Sequence, residues 1–142
     1  MTKKRLAMCV WRPHYGREHN LVALLGHQLA RLRELDLVTN REPVVGRTDN
    51  DEVVVILEWV SSEAIATAET DPGIVRIMRH VVALADAVTP ASVPAAREMF
   101  FEMTPIDSLQ VGDAKDMTLW QAANTGLPMA RSSARSSQGQ RP

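Results

Sequence analysis

Three shortages in this chain of 142 residues remove whole classes of function before any pattern is considered. Cys9 is the single cysteine, so no intramolecular disulfide can form and no Cys-based zinc site is available, in keeping with a reducing compartment. Charge of one sign is also missing: 16 basic and 17 acidic residues leave a net charge of −1, which offers no bulk attraction to nucleic acid or to an anionic membrane. Long apolar runs are absent as well. Residues 1–5 are basic, but the run at 6–11 is too short for the core of a signal peptide and nothing approaches a membrane span. The expectation is a cytoplasmic protein with neither nucleic acid nor membrane as a partner. No Gly-rich phosphate loop, Walker sequence, nucleophile elbow or HExxH occurs, so no cofactor and no metal is expected. His19 and His27 do not alter this, because on one helix they stand about 12 Å apart along the axis, too far to share an ion.

What is present is enough apolar residue, 45%, for one domain with its own core. That domain is expected at 1–106. Residues 107–142 form a C-terminal extension, with room for one short helix at 115–123 and a low-complexity stretch, ARSSARSSQGQRP, that reads as disorder after about 125.

Within 1–106 the periodicities change in a definite order. Residues 6–12 (LAMCVWR) have strand length and stop at Pro13, which lacks the ladder donor. From 17 to 37, Leu21, Leu25, Leu29, Leu32 and Leu35 recur at helical spacing. Residues 44–48 and 52–60 read as a hairpin closed by Asp49-Asn50-Asp51, whose residue types tolerate left-handed backbone. A helical region follows, capped by Ser61 and restarted at Asp71-Pro72, with Ile74, Ile77, Met78, Val81, Ala85 and Val88 on one face. Residues 97–104 (REMFFEMT) alternate, Met99, Phe101 and Met103 on one side, as a half-buried strand does. The order is βαββαβ, an α+β, ferredoxin-like arrangement in which a four-stranded antiparallel sheet carries two helices on one face.

Such a sheet in a monomer turns a polar face to water, and this one does not. In 52–60 the two faces are Val53, Val55, Leu57, Trp59 and Val54, Ile56, Glu58, Val60, both mainly apolar. A homodimer with sheets face to face removes that surface from water; folding back of the segment around Met117 and Trp120 is the alternative.

The stretches WRPHYGREHNLVALL, LRELDLVTNREPVV, VVVILEWVSSEAI, TDPGIV and REMFFEMTPI together resemble the antibiotic biosynthesis monooxygenase-like proteins of the dimeric α+β barrel superfamily, over residues 6–106. The likeness is a whole-domain pattern with no sharp catalytic motif. It implies a ferredoxin-like protomer, dimerisation through the sheets, and a small apolar pocket between sheet and helices. Chemistry in the superfamily includes cofactor-independent quinone-forming oxygenation, haem degradation and isomerisation, so membership alone chooses none. Haem degradation is disfavoured: it needs a first-strand Asn and a Trp early in the second helix, and neither 6–12 nor 61–69 supplies one; the second helix has only His80.

Glu58 is the candidate catalytic residue. On a face with Val54 and Ile56 its carboxylate would be desolvated, its pKa raised, and it could act as a general base; alternatively it ends the strand in an ion pair with Arg12 or Arg47. Trp11 and Trp59 are candidate walls of an aromatic pocket, or else core and dimer contacts. Gln28 falls inside the leucine stripe, about −20° from Leu21 on a helical wheel, and a buried amide there needs a partner or a ligand. His80, at the edge of its helix's apolar face, completes the candidate pocket; His14 sits in the turn, where it could gate the mouth. Adjacent strand residues face opposite ways, so Glu58 and Trp59 cannot both line it. The expected function is cofactor-independent monooxygenation of a small aromatic or polyketide-like molecule. The alternatives are a non-enzymatic dimeric ligand-binding or accessory domain, and a cofactor-free isomerase or cyclase.

Overall fold

Pro13 closes the first strand, β1 (Arg5–Pro13), and Gly16 turns the chain at a φ of 75°. That left-handed value costs glycine nothing. The computed structural model describes residues 3–107 and Leu109. Helix α1 (Glu18–Glu34) buries Leu21, Leu24, Leu25, Leu29 and Leu32 along one face. Its C-terminus is closed by Asp36 at φ 57°, with the Leu37 N–H donating to the Leu32 carbonyl at 3.0 Å, which satisfies an otherwise orphaned acceptor.

Strands β2 (Val44–Arg47) and β3 (Val53–Trp59) form the expected hairpin. Its turn has Asp51 at φ 66° and a 2.9 Å bond from the Thr48 N–H to the Glu52 carbonyl. Helix α2 (Ser62–Thr70) starts where Ser61 Oγ accepts the Ala64 N–H at 3.1 Å. Helix α3 (Pro72–Leu84) starts one residue after Asp71, whose carboxylate accepts the Ile74 N–H at 3.0 Å while Pro72 occupies a position where no N–H is needed. Three helices therefore stand where two were expected, because Asp71-Pro72 breaks the second region in two.

The last part of the sheet differs from expectation. Helix α3 ends at Leu84 and the chain passes directly into β4 (Ala85–Val88), which pairs antiparallel with β1 from Val10↔Val88 to Pro13↔Ala85. Ala85 and Val88 thus leave the helix face on which their spacing placed them. The outer edge of β1 exposes donors and acceptors that need a partner, and pairing outweighs the helical preference of the two alanines in this tetrapeptide. Residues 97–104 do not form the fourth strand. After two short 3-10 turns, Pro90–Ser92 and Pro94–Arg97, the chain is irregular until β5 (Thr104–Pro105) pairs with β2. The protein is α+β, with a five-stranded antiparallel sheet in the order β4-β1-β3-β2-β5.

Register assigns the two faces. Trp11, Cys9 and Ala7 stand opposite Val53, Val55 and Leu57, and this side meets the helices. Val10, Met8 and Leu6 stand opposite Val54, Ile56 and Glu58 on the other side. Residues after β4 cross that second face: Val93 is buried against Val10 and Val54, with Ala95, Phe101 and Met103 packed around them. Burial of each of these three valines stabilises by about 1.5–3 kcal/mol. The alternation in 97–104 therefore does report which side chains point inward at Phe101 and Met103, but the segment lies over the sheet instead of extending it. Met99 and Phe100 remain exposed, and so do Leu6, Met8 and Val44 on the uncovered half of the face. Met117 and Trp120, the alternative cover, lie outside the described residues.

Candidate functional site

The helix-facing side of the sheet lines an open cavity of about 540 Å³. Its floor comes from β1 and β3: Cys9 and Trp11, two residues apart and so on one face, and Trp59 near the end of β3. Gln28 enters from α1. Ile65, Ala68 and Glu69 come from one side of α2, and Ile74, Val75, Met78, Arg79 and Val82 from α3. Most of the wall is aliphatic, aromatic or thioether, with few polar groups, the usual composition of a small-molecule site. A volume of this size accepts two or three fused rings.

Three of the residues singled out in the sequence, Trp11, Gln28 and Trp59, meet here. The remaining two do not. Glu58 lies on the opposite face of the sheet, where its Oε1 accepts the Thr39 hydroxyl at 2.8 Å and its Oε2 pairs with Arg41 Nε at 3.1 Å. The Thr39 hydrogen bond, with the Arg41 charge, outweighs the opposing desolvation and holds this carboxyl below its ordinary value; the raised pKa of the general-base alternative is not found, and an ion pair is, with Arg41 in place of Arg12 or Arg47. The reason is register: β3 sends even-numbered residues away from the helices, so Glu58 meets the 39–41 loop. Its expected partners are engaged elsewhere, Arg12 with Glu52 at 3.3 Å and Arg47 with Glu18 on α1. His80 is likewise outside the cavity lining, and burial, then the Arg76 charge, lowers its pKa. His14 turns to Asp86 on β4 at 3.2 Å and so gates nothing.

Glu69, Arg79 and Cys9 line the cavity and had not been placed there from the sequence. Glu69 follows Ile65 by four residues on α2, and Arg79 follows Val75 by four on α3, so helical spacing would have grouped them once the pocket-facing side was known. Cys9 presents surface to the open cavity, while its packed surroundings desolvate the thiolate and raise its pKa; the Trp11 indole opposes this more weakly.

Two polar contacts in the cavity are unusual. Gln28 Nε2 donates to the sulfur of Met78 at 3.3 Å. Trp11 is buried, and its Nε1–H has no hydrogen-bond partner. Among the described residues no group of three or more His, Cys, Asp or Glu could hold a metal ion, and no helix is long and apolar enough to cross a membrane.

No protein-family model matches the chain, and no curated protein matches it. A solved structure similar to it is a conserved protein of unknown function from Bacteroides thetaiotaomicron VPI-5482, described as a possible oxidoreductase. The superposition has a TM-score of 0.51 at 12% identity and covers 61% of this chain and 92% of that one. At that identity the likeness bears on the fold alone.

Proposed function

We propose that the chain is a cofactor-independent monooxygenase of the antibiotic biosynthesis monooxygenase-like type, acting on a small hydroxylated aromatic or polyketide-like molecule held between sheet and helices. The observation that carries this is the 540 Å³ apolar cavity floored by Trp11 and Trp59. The order β4-β1-β3-β2, with helices against one face, supports the ferredoxin-like protomer that the resemblance implies. The description of the Bacteroides protein as a possible oxidoreductase is compatible with this reading.

The protein's part in such a reaction is positioning and proton transfer. Trp11, Trp59, Ile65 and Met78 shield one side of the ring system and fix its orientation. Glu69 takes the place first given to Glu58, because it is the carboxylate at the cavity wall; it accepts the phenolic proton. The substrate anion then reduces dioxygen, one oxygen atom entering the ring as a quinone carbonyl at a former CH₂ while the other leaves as water.

The assembly proposed with it is a homodimer through the second sheet face. Leu6, Met8 and Val44 stay exposed on the half that residues 90–105 leave open. Burying each would contribute roughly 1.5–3 kcal/mol at most. Two half-covered faces related by a two-fold axis can interlock, each cover lying over the other's open half.

Aerobic and anaerobic incubation with hydroxylated anthrones and naphthols tests the activity. Oxygen uptake matching quinone formation, lost in Glu69→Gln with the fold retained, is expected. Binding of these compounds without oxygen uptake would transfer the site to a ligand-binding accessory domain, and an isomerised or cyclised product formed without oxygen would make it an isomerase or cyclase.

A further inference from the structure

Residues 94–102 and the β2–β3 turn frame a second open cavity, of about 470 Å³, whose lining includes Asp49, Glu98, Met99, Phe100 and Glu102. Met99 and Phe100 are exposed, and the three carboxylates stand around them. Among the described residues, Asp49, Glu98 and Glu102 have no cationic partner, and Arg97, next to Glu98 in the chain, does not line the cavity. An apolar patch ringed by unpaired negative charge is complementary to a segment that is apolar and basic.

Such a segment lies at the other end of the same sheet face. Lys3 and Lys4 are exposed and lead directly into β1, whose Leu6 and Met8 are exposed on the half that residues 90–105 leave open. A two-fold axis running between the sheets and across the strands reverses strand direction, so in the face-to-face dimer the start of one β1 arrives over the hairpin end of the other sheet. We propose that the 470 Å³ cavity receives the start of β1 from a second copy of the chain: its Lys3 and Lys4 pair with Asp49, Glu98 and Glu102, and its Leu6 lies against Met99 and Phe100. This rests on the sheet-to-sheet dimer and adds what fixes its orientation. Each protomer supplies one basic segment and one acidic cavity, so the clasp forms twice. The opposite orientation would set basic end on basic end and acidic end on acidic end, which like-charge repulsion disfavours.

Charge reversal separates the clasp from the dimer. One full-length variant carries Lys3→Glu with Lys4→Glu, the other Glu98→Lys with Glu102→Lys; all four side chains are exposed, and circular dichroism checks that each variant folds. In sedimentation equilibrium each variant alone sets like charges together in both clasps, and its dimer dissociation constant should rise about thirtyfold. Mixed in equal amounts, the two variants restore opposite charges in both clasps, so a heterodimer should form within about threefold of the affinity of the unaltered dimer. Unchanged dissociation constants in both variants overturn the clasp and leave the dimer standing. Weakening of one variant alone, or of both without rescue on mixing, overturns the pairing of these two segments. Where Glu98→Lys with Glu102→Lys is the only one affected, the cavity belongs to another basic segment, such as the one bearing Arg131, Arg135 and Arg141. A monomeric mass for the unaltered chain at micromolar concentration overturns the dimer and the clasp together.

Discussion

Gly46→Ala probes the feature that most changed the outer face of the sheet. An ideal Cβ at Gly46 would lie 2.7 Å from Met103 Cβ and 2.8 Å from Met103 Sδ, distances that side chains do not tolerate. Two opposing effects set the magnitude. Replacing glycine by alanine in a strand restricts the unfolded chain and stabilises by about 0.4–1 kcal/mol. Overpacking against a covered face costs about 1–3 kcal/mol. The clash outweighs the entropy gain, and a net loss of about 1–2 kcal/mol follows. Because the nearest atom is Met103 Cβ, Met103→Ala leaves the 2.7 Å conflict in place, and only Met103→Gly removes it. Urea unfolding of the unaltered protein, the three single variants and the two double variants, followed by tryptophan fluorescence, should show a lowered midpoint with unchanged slope for Gly46→Ala. Met103→Gly should restore the added methyl's cost in the double variant, and Met103→Ala should not. A Gly46→Ala midpoint equal to or above that of the unaltered protein, or rescue by Met103→Ala as complete as by Met103→Gly, would refute the position of the 97–105 segment over β2.

Glu58 yields a pH prediction whose sign follows from its depressed pKa. Its stabilising contribution is complete above the ordinary value of 4.5 and is lost as pH falls through the lower folded value. Thermal melts of the native protein and Glu58→Gln should therefore differ by a constant amount at neutral pH and converge below 4.5, with ligand affinity the same in both; a difference that grows on acidification counts against the Thr39 and Arg41 contacts. Asp71 caps α3 and also receives two Arg31 hydrogen bonds at 3.0 and 2.9 Å, so Asp71→Ala should lower the melting temperature more than Asp71→Asn, which retains a capping side chain. Equal effects would remove the cap from the explanation. Cys9 should react with iodoacetamide at pH 8 more slowly than a small-molecule thiol, because burial raises its pKa, and more slowly still with a hydroxylated anthrone present; unchanged alkylation on saturation would place the ligand elsewhere. Light scattering at micromolar concentration should give a dimer mass for the native chain and a monomer mass for Met8→Glu, and a native monomer would refute the sheet-to-sheet assembly.

The local elements were legible in the sequence wherever a short-range rule acts alone. The leucine spacing of α1, the Asp49-Asn50-Asp51 turn, the Ser61 cap and the Asp71-Pro72 restart each depend on residues within one turn of one another. Gln28 was found because a polar residue interrupting an apolar stripe is itself a signal. Opposite facing of Glu58 and Trp59 also follows from the two-residue period of a strand. The choice between them was not legible, since period gives alternation and not which side the helices occupy.

That choice, and the fate of residues 85–105, belonged to the tertiary structure. The sequence by itself determined an α+β chain with one amphipathic first helix, a hairpin and an apolar strand on both sides. Only the fold decided that β1's open edge takes Ala85–Val88 out of the helix, and that Phe101 and Met103 cover Val10 and Val54. It also decided that Trp59 reaches the cavity while Glu58 is held by Thr39 and Arg41. The physical reason is common to all three: satisfying an edge, covering a face and pairing a carboxylate each involve partners tens of residues away, and no local periodicity carries their position.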